Sequence, residues 1–334
     1  MSEALPSAEE LVAHLRVAYG VAATDATPVP GGLVHPVWRL TVPGGAWFVK
    51  WYRGTAWGRG QLAPVLLAQT VAADAGLPAP RPFADRGGHP VSPWQKGLLV
   101  CSEYLPGSTL LPGQFNLMRS ESYGAALGRL HRALAALPAG DAGIPDAPGI
   151  EVRCRDLLAL AEGWRNPTAG DRLAVESLRY RLQMLRANGI DRAAYAACTW
   201  QVCHGDYFPA NLLWLGDRLT GIVDFDFAGP RWRTIELARA AVEAAWLEGG
   251  GVAPALYQAV LRGYQAANPL PAAECQAGPR LWWEYLLDSL YPLPARYNNP
   301  VNLPVHWEKV LRRRHNLMVW LGEHLPELAA LSAV

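Results

Sequence analysis

Between Val202 and Trp214 the chain reads Val-Cys-His-Gly-Asp-Tyr-Phe-Pro-Ala-Asn-Leu-Leu-Trp, which sets Asp206 five residues before Asn211. Thirteen residues beyond Asn211 stands Asp224, inside Gly221-Ile222-Val223-Asp224-Phe225-Asp226. An acid, then an amide, then a second acid at the end of an apolar run suits phosphoryl transfer. One carboxylate accepts the proton of an attacking hydroxyl, while an amide oxygen and the other carboxylate hold Mg²⁺ against phosphates. Mg²⁺ takes hard oxygen ligands and keeps several waters, so two protein ligands suffice.

Each of these residues has a plainer reading. An aspartate after a glycine and near an asparagine is, on its own, a turn or cap residue. The joint offsets decide for chemistry, together with a lysine far upstream. The 30 basic residues are nearly all arginine, and lysine occurs only at Lys50, Lys96 and Lys309. Lys50 sits inside the apolar run Trp47-Phe48-Val49-Lys50-Trp51, where a lysine invites a chemical explanation. His204 reads as a buried brace for the loop, because Asp206 already fills the base role. Asp226 shares the side of Asp224 by strand alternation, and the sequence leaves open whether it assists a metal or bonds nearby backbone.

The elements that must position these residues follow from pattern. Ser7 with Glu10 forms a capping box for a first helix, whose apolar face is Leu11 and Leu15 and whose stop is Gly20. Gly31-Gly32 precede a β-like run from His35 to Val42, and the turn Pro43-Gly44-Gly45 joins it to a second run, Ala46 to Tyr52. A helical pattern covers residues 61–75, and a further strand covers Leu98 to Tyr104. Beyond it the texture is helical, at residues 120–137, 151–165, 171–188 and 232–334, interrupted by β-like runs at Gln201 to Cys203 and Leu219 to Phe225. These two runs are expected to form a small hairpin. The order predicts an α+β, two-lobed architecture, with a small β-rich N-lobe over residues 1–104 and a larger, mostly helical C-lobe over residues 105–334.

The set His204-Gly205-Asp206, four intervening residues, Asn211, an apolar run and Asp224 resembles the aminoglycoside phosphotransferase-like family of small-molecule kinases. The likeness spans most of the chain. Gly31 and Gly32 resemble its nucleotide loop and Lys50 its phosphate-binding lysine. Leu77-Pro78-Ala79-Pro80-Arg81-Pro82 is similar to the segment after its N-lobe helix, and Leu99 to Gly107 to its hinge. The resemblance implies a protein-kinase-like fold, ATP and Mg²⁺ as cofactors, and a small-molecule hydroxyl as acceptor. It makes Asp206 the catalytic base and Asn211 and Asp224 the metal ligands, and it sets the backbones of Glu103 and Leu105 against adenine. Two positions depart from the pattern. Pro64 stands where the family carries the helix glutamate that pairs with the lysine, and Glu236 stands near the usual place of an aspartate.

Composition narrows the alternatives. Thirty basic against 29 acidic residues give a net charge of +1, which supplies no electrostatic footprint for nucleic acid. No apolar run is long enough for a membrane helix, and MSEALPSAEE lacks the basic start and apolar stretch of a signal peptide, so a cytoplasmic protein without membrane partners is expected. Five cysteines without CxxC spacing suggest neither a disulfide framework nor zinc. A non-catalytic kinase-like module is supported only by the missing helix glutamate. A protein kinase is disfavoured because twelve residues separate Asp224 from Glu236, too few for an activation loop, and no Ala-Pro-Glu follows. The acceptor is expected between Asp206 and the C-terminal helices. There Glu284 and Asp288 share one helix face, and at least one of them should line the cleft opposite the base.

Overall fold

The computed structural model describes residues 6–29, 35–54, 58–111, 113–247, 250–299 and 303–333. Helix α1 (Ala8–Tyr19) begins with the reciprocal Ser7–Glu10 capping box and ends on Gly20 in the left-handed region at φ 70°. It leads into a five-stranded antiparallel sheet of β1 (Asp25–Pro28), β2 (Val37–Val42), β3 (Gly45–Arg53), β4 (Ser92–Trp94) and β5 (Gly97–Glu103), in the order β1-β2-β3-β5-β4. Strand β1 was not legible from sequence, since a four-residue edge strand carrying Pro28 has almost no periodicity to read.

Period-2 alternation gives the sheet two different faces. Val49, Trp51, Leu99 and Cys101 pack with Leu11 and Leu15 of α1. Tyr52 and Val100 point the other way and pack with Leu62 and Leu66 of α2 (Arg59–Asp74). Lys50 pairs in register with Val100 and Val37 and is two residues from Tyr52, so it belongs to this second face.

The rest of the chain is a helical body. It contains α3 (Leu117–Leu134), α4 (Ala147–Glu162), α5 (Ala169–Asn188), α6 (Arg192–Ala197), α7 (Arg233–Ala245), α8 (Pro254–Ala267), α9 (Ala272–Asp288), α10 (Leu293–Tyr297) and α11 (Trp307–Leu331). Helices α3 and α8 meet backbone to backbone at Gly124 and Gly263, where an added Cβ would lie 1.9 Å from the Val260 carbonyl oxygen and 2.0 Å from that of Glu121. Such contact is open only to glycine. The apolar core runs from Tyr123 and Leu127 through Leu237 and Val260 to Trp283 and Leu321, all buried.

Two short antiparallel pairs sit on this body. The expected hairpin between the runs at 201–203 and 219–225 does not form. Strand β6 (Trp200–Cys203) pairs with β9 (Gly229–Trp232), and β7 (Leu212–Leu215) makes a hairpin with β8 (Arg218–Ile222). The predicted strand to Phe225 stops at Ile222 because Asp224 takes left-handed angles (φ 64°, ψ 63°) and residues 225–227 wind into a 3₁₀ turn.

Candidate active site

Asp206 lies in the loop after β6, and its carboxylate is held from two sides. Asn211, at the end of the 3₁₀ turn Pro209–Asn211, donates its Nδ2 to Asp206 Oδ2 (2.8 Å) and to the Asp206 carbonyl (2.9 Å). Arg239 on α7 donates to Asp206 Oδ1 at 2.8 Å. Burial works against the charge of Arg239, but the carboxylates of Asp206 and Glu243 outweigh it and raise its pKa. The ring of Phe208 is approached by the guanidinium groups of Arg239 and Arg313, 5.4 and 4.9 Å from its centroid.

The loop itself is fixed by buried groups. Gly205 has φ 86°, and a Cβ there would fall 2.0 Å from the Phe227 carbonyl oxygen, so the motif's glycine is required twice over. His204 is fully buried; its Nδ1 accepts from the Asp206 N–H (3.3 Å) and its Nε2 donates to the Val223 carbonyl (3.2 Å). Burial lowers its pKa below the usual histidine value, which keeps the ring neutral and in the bracing role. Glu236 accepts from the backbone N–H groups of His204 (3.1 Å) and Gly205 (2.6 Å) and from His131 Nε2 (2.8 Å). Burial opposes its ionisation, yet the hydrogen bond and charge of His131, then His204 and Arg231, hold its pKa down to about 2. His131, Cys203 and Glu236 also lie within 4.8 Å of one another. Since Glu236 and His131 are spent on the loop and on Tyr264, the cluster serves as a brace.

Asp224 lies between the end of β8 and the 3₁₀ turn Phe225–Phe227. Its left-handed backbone, uncommon outside glycine and asparagine-like residues, turns the chain from β8 toward the sheet. Lys50 Nζ donates to Asp224 Oδ1 at 2.8 Å and to Asp226 Oδ2 at 2.6 Å, and Tyr52 OH donates to Asp226 Oδ1 at 2.7 Å. Burial and then the Asp226 charge push the Tyr52 phenol far above its usual range, so it remains a donor. Asp226 therefore bonds neither local backbone nor stands apart from Lys50: it partners the lysine. Pro64, at the expected glutamate position, is exposed on α2. The alternation argument that placed Asp226 beside Asp224 does not apply, because no strand continues through them; the 3₁₀ turn brings both carboxylates to Lys50.

The donor set fits a hard cation. Asn211 has spent its Nδ2 on Asp206, which leaves its carbonyl oxygen for a ligand role. The Asp224 side chain is 40% exposed with one oxygen on Lys50. Two side-chain oxygen donors of this kind, on residues brought near one another by the Val223 N–H bond to the Asn211 backbone carbonyl (2.9 Å), suit Mg²⁺.

A sequence model of the phosphotransferase enzyme family matches residues 25–275. The chain belongs to that family. It is 31% identical over 219 residues to a homoserine kinase of Azorhizobium caulinodans, covering 64% of this chain and 63% of that protein. It is 28% identical over 259 residues to a homoserine kinase of Cupriavidus necator, covering 72% of this chain and 73% of that protein. The chain thus aligns with somewhat less than two thirds of the first of these relatives. Among solved structures, an aminoglycoside phosphotransferase from Alicyclobacillus acidocaldarius superposes with a TM-score of 0.65 at 16% identity, over 99% of this chain and 97% of that one. The fold is the protein-kinase-like, two-lobed fold of this phosphotransferase family.

Other expected site residues fall as follows. Gly31 and Gly32 lie outside the described residues. Glu103 and Leu105 sit where β5 leaves the sheet; the Glu103 N–H is committed to the Arg81 carbonyl at 3.0 Å, so Glu103 offers no backbone donor there. Glu284 is fully buried and bonded to Arg280 and the Asp191 N–H, so it does not reach the cleft. Asp288 lines a cavity of about 360 Å³ beside Gly205 and Arg239. A larger hollow, about 470 Å³ and lined by Arg129, Asp217 and Gly263, touches none of the site residues. Sequence reading missed Tyr52, Arg239 and His131. Tyr52 could have been found from its place two residues after Lys50 on one strand face, and Arg239 from its place one helical turn after Glu236.

Proposed function

We propose that this phosphotransferase-family protein is an ATP- and Mg²⁺-dependent kinase that moves the ATP γ-phosphate to a hydroxyl of a small molecule, with Asp206 as the base. The observation that carries the reading is the pairing of Lys50 with Asp224 and of Asn211 with Asp206, the two pairs joined by the Val223 N–H bond to the Asn211 backbone carbonyl. Asn211 and Asp224 would hold the cation, which when bound neutralises phosphate charge and orients the transferring group.

The remaining work belongs to the chain. Asn211 and Arg239 each take one oxygen of Asp206, and an ionised carboxylate keeps further lone pairs for the acceptor hydroxyl. Asp206 accepts the hydroxyl proton as the acceptor oxygen bonds to the γ-phosphorus and the bond to ADP breaks. Lys50, steadied by Asp226 and Tyr52, presents its ammonium to the nucleotide phosphates. Residues 1–104 would then be the nucleotide-binding lobe and residues 105–334 the lobe of catalysis and acceptor binding. The missing helix glutamate no longer argues for a non-catalytic module, since Asp226 supplies the lysine with a carboxylate. Release of ADP in the presence of Mg²⁺ and a panel of small alcohols tests the reading. Asp206→Asn should lower that turnover at least ~10²-fold, the low end for loss of a general base, while ATP binding persists. Unchanged turnover would remove Asp206 from the base role.

A further inference from the structure

The cavity of about 360 Å³ beside the base loop is lined by Gly205 and by Glu236 and Arg239 of α7, but not by Lys50, Asp206, Asn211 or Asp224. It touches the residues that hold the base loop and none of those proposed to meet phosphate, metal or the acceptor hydroxyl.

Its walls are aromatic. Tyr195, Trp200, Trp232 and Trp282 line it, and Tyr285 of α9, 42% exposed, carries it to the surface. Trp200 Nε1 donates to the Ala139 carbonyl (3.1 Å), Trp232 Nε1 to the Tyr195 carbonyl (3.0 Å) and Tyr195 OH to the Leu281 carbonyl (3.4 Å). Those donors are spent within the protein, so the three rings offer the cavity hydrocarbon and π surface. Trp232 already meets Tyr195 and Trp200 edge-on, with centroids 4.6 and 4.4 Å away, and a further flat ring would extend that cluster. A hollow of this size with aromatic walls and few polar groups has the character of a ligand site.

The polar groups select the charge of the ligand. Both carboxylates on the walls are taken: Asp288 pairs with Arg153, and Glu236 accepts from His131 and from the His204 and Gly205 N–H groups. Of the two arginines, Arg239 pairs with Asp206. Arg231 helps to keep Glu236 ionised but makes no ion pair among the described residues. It donates to the carbonyls of Gly205 (3.4 Å) and Phe227 (2.7 Å), and its buried Nε–H has no partner among the described residues. A ligand amine would find no free carboxylate here, whereas an anionic oxygen would find Arg231.

We propose that this cavity is a second ligand site, which takes a small flat aromatic carboxylate as an effector of the base loop. The ring lies among Trp200, Trp232 and Tyr285, and the carboxylate meets Arg231. Gly205 and Arg239 are walls, and Arg239 holds Asp206 Oδ1 at 2.8 Å, so occupancy bears on kcat through the position of the base and not on nucleotide binding. The site stands without the kinase reading; only its effect on turnover rests on that reading.

The probes 2-naphthoate, 2-naphthamide and acetate separate ring from charge. In NMR titrations of the full chain, 2-naphthoate should bind with a Kd of about 1 mM or tighter, the value that about 13 heavy atoms bring at ordinary ligand efficiency. The amide, with the same shape and no charge, should bind at least ~10-fold more weakly, and acetate should not bind. Tyr285→Ala removes a wall that is already half exposed. It should weaken 2-naphthoate about 3- to 10-fold and leave basal ADP release unchanged with whichever small alcohol is turned over. Arg231→Gln should erase the preference for the acid over the amide, and Arg231→Lys should retain it. With Mg-ATP and the alcohol saturating, 2-naphthoate should change kcat at least ~2-fold, with KM for ATP unchanged. No binding of 2-naphthoate, equal binding of the amide, or binding that Tyr285→Ala leaves intact overturns the inference. Binding that leaves kcat untouched, or that only raises KM for the alcohol, overturns the effector role and with it the proposal. No ADP release with any alcohol and no binding of Mg-ATP overturns the kinase reading instead, and the naphthoate titrations then decide the site by themselves.

Discussion

Replacing Glu236 by glutamine should cost this protein about 3 kcal/mol. The carboxylate accepts from two backbone N–H groups and from His131, at 3.1, 2.6 and 2.8 Å, with the residue 3% exposed. Glutamine has the same shape but only one acceptor oxygen, so at least one buried N–H loses its partner, at about 1–3 kcal/mol. Weakening the bond from His131 adds to this and brings the total to about 3 kcal/mol, the low end for breaking a buried pair. The pKa leads to a similar figure. A fall from the ordinary glutamate value of 4.5 to about 2 corresponds to about 3 kcal/mol of stabilisation at neutral pH. Because the folded pKa is the lower one, that stabilisation is fully present above pH 4.5 and is lost as the pH falls toward about 2. Thermal melts at pH 7 should therefore show the Glu236→Gln midpoint about 6–12 °C below wild type, at about 2–4 °C per kcal/mol. Between pH 5 and 2 the variant should lose stability more gradually than wild type, since it has no carboxylate left to protonate. An unchanged midpoint at pH 7, or an acid limb as steep as that of wild type, would refute the reasoning.

Asp226→Asn keeps an acceptor for Tyr52 but removes one of the two charges on Lys50, so KM for ATP should rise about 10-fold, the lower value of a charge-assisted bond; initial-rate kinetics in ATP check this. Asp224→Ala should abolish the Mg²⁺ dependence of ATP binding measured by calorimetry, because one of the two proposed protein ligands is gone. Gly263→Ala should lower the melting temperature by an amount equivalent to about 3 kcal/mol of overpacking, since its Cβ would lie 2.0 Å from a carbonyl oxygen of α3. Gly60→Ala, whose Cβ meets nothing within 4 Å on α2, should instead be neutral or slightly stabilising.

What could be read from sequence was what local chemistry determines. The capping box at Ser7 and Glu10, the helices of the C-lobe and the spacing of Asp206, Asn211 and Asp224 depend on residues close in the chain. The failures were long-range or conformational. Strand pairing in the C-lobe was misassigned because β6 finds its partner 26 residues later at β9, with a separate hairpin in between. The contact of Asp226 with Lys50 is hidden from the sequence because a single left-handed residue at Asp224 ends the strand and changes the geometry that follows. Glu284 and Asp288 do share a helix face, but Arg280 and Arg153 divert them to different neighbours, which no spacing rule contains. Glu236 reads in sequence as a small departure, although it accepts from two successive backbone N–H groups of the loop.

The pairing of Lys50 changes what holds the two lobes together. In the family pattern the lysine leans on a glutamate of the N-lobe helix, so its position follows that helix. On α2 the polar side chains are engaged elsewhere: Gln69 bonds the Pro80 carbonyl, Asp74 pairs with Arg81, and Gln61 caps the helix at Gly58. Lys50 and Tyr52 instead project from one face of β3 onto Asp226, which belongs to the C-lobe. The sheet is thereby tied to the strand-end that carries Asp224, and the side chains proposed to meet phosphate and metal are positioned by the same carboxylate pair. A rotation of α2 alone would leave that tie in place, whereas a shift of the 3₁₀ turn at Phe225–Phe227 would move Lys50, Asp224 and Asp226 together. The residues flanking that turn are held by Ile222 N–H on the Pro78 carbonyl at 2.7 Å and by Arg231 on the Phe227 carbonyl at 2.7 Å. Pro78 lies four residues after α2 and Arg231 lies against Gly205 of the loop that carries Asp206, so the proposed nucleotide and acceptor ends of the cleft are braced through one short segment.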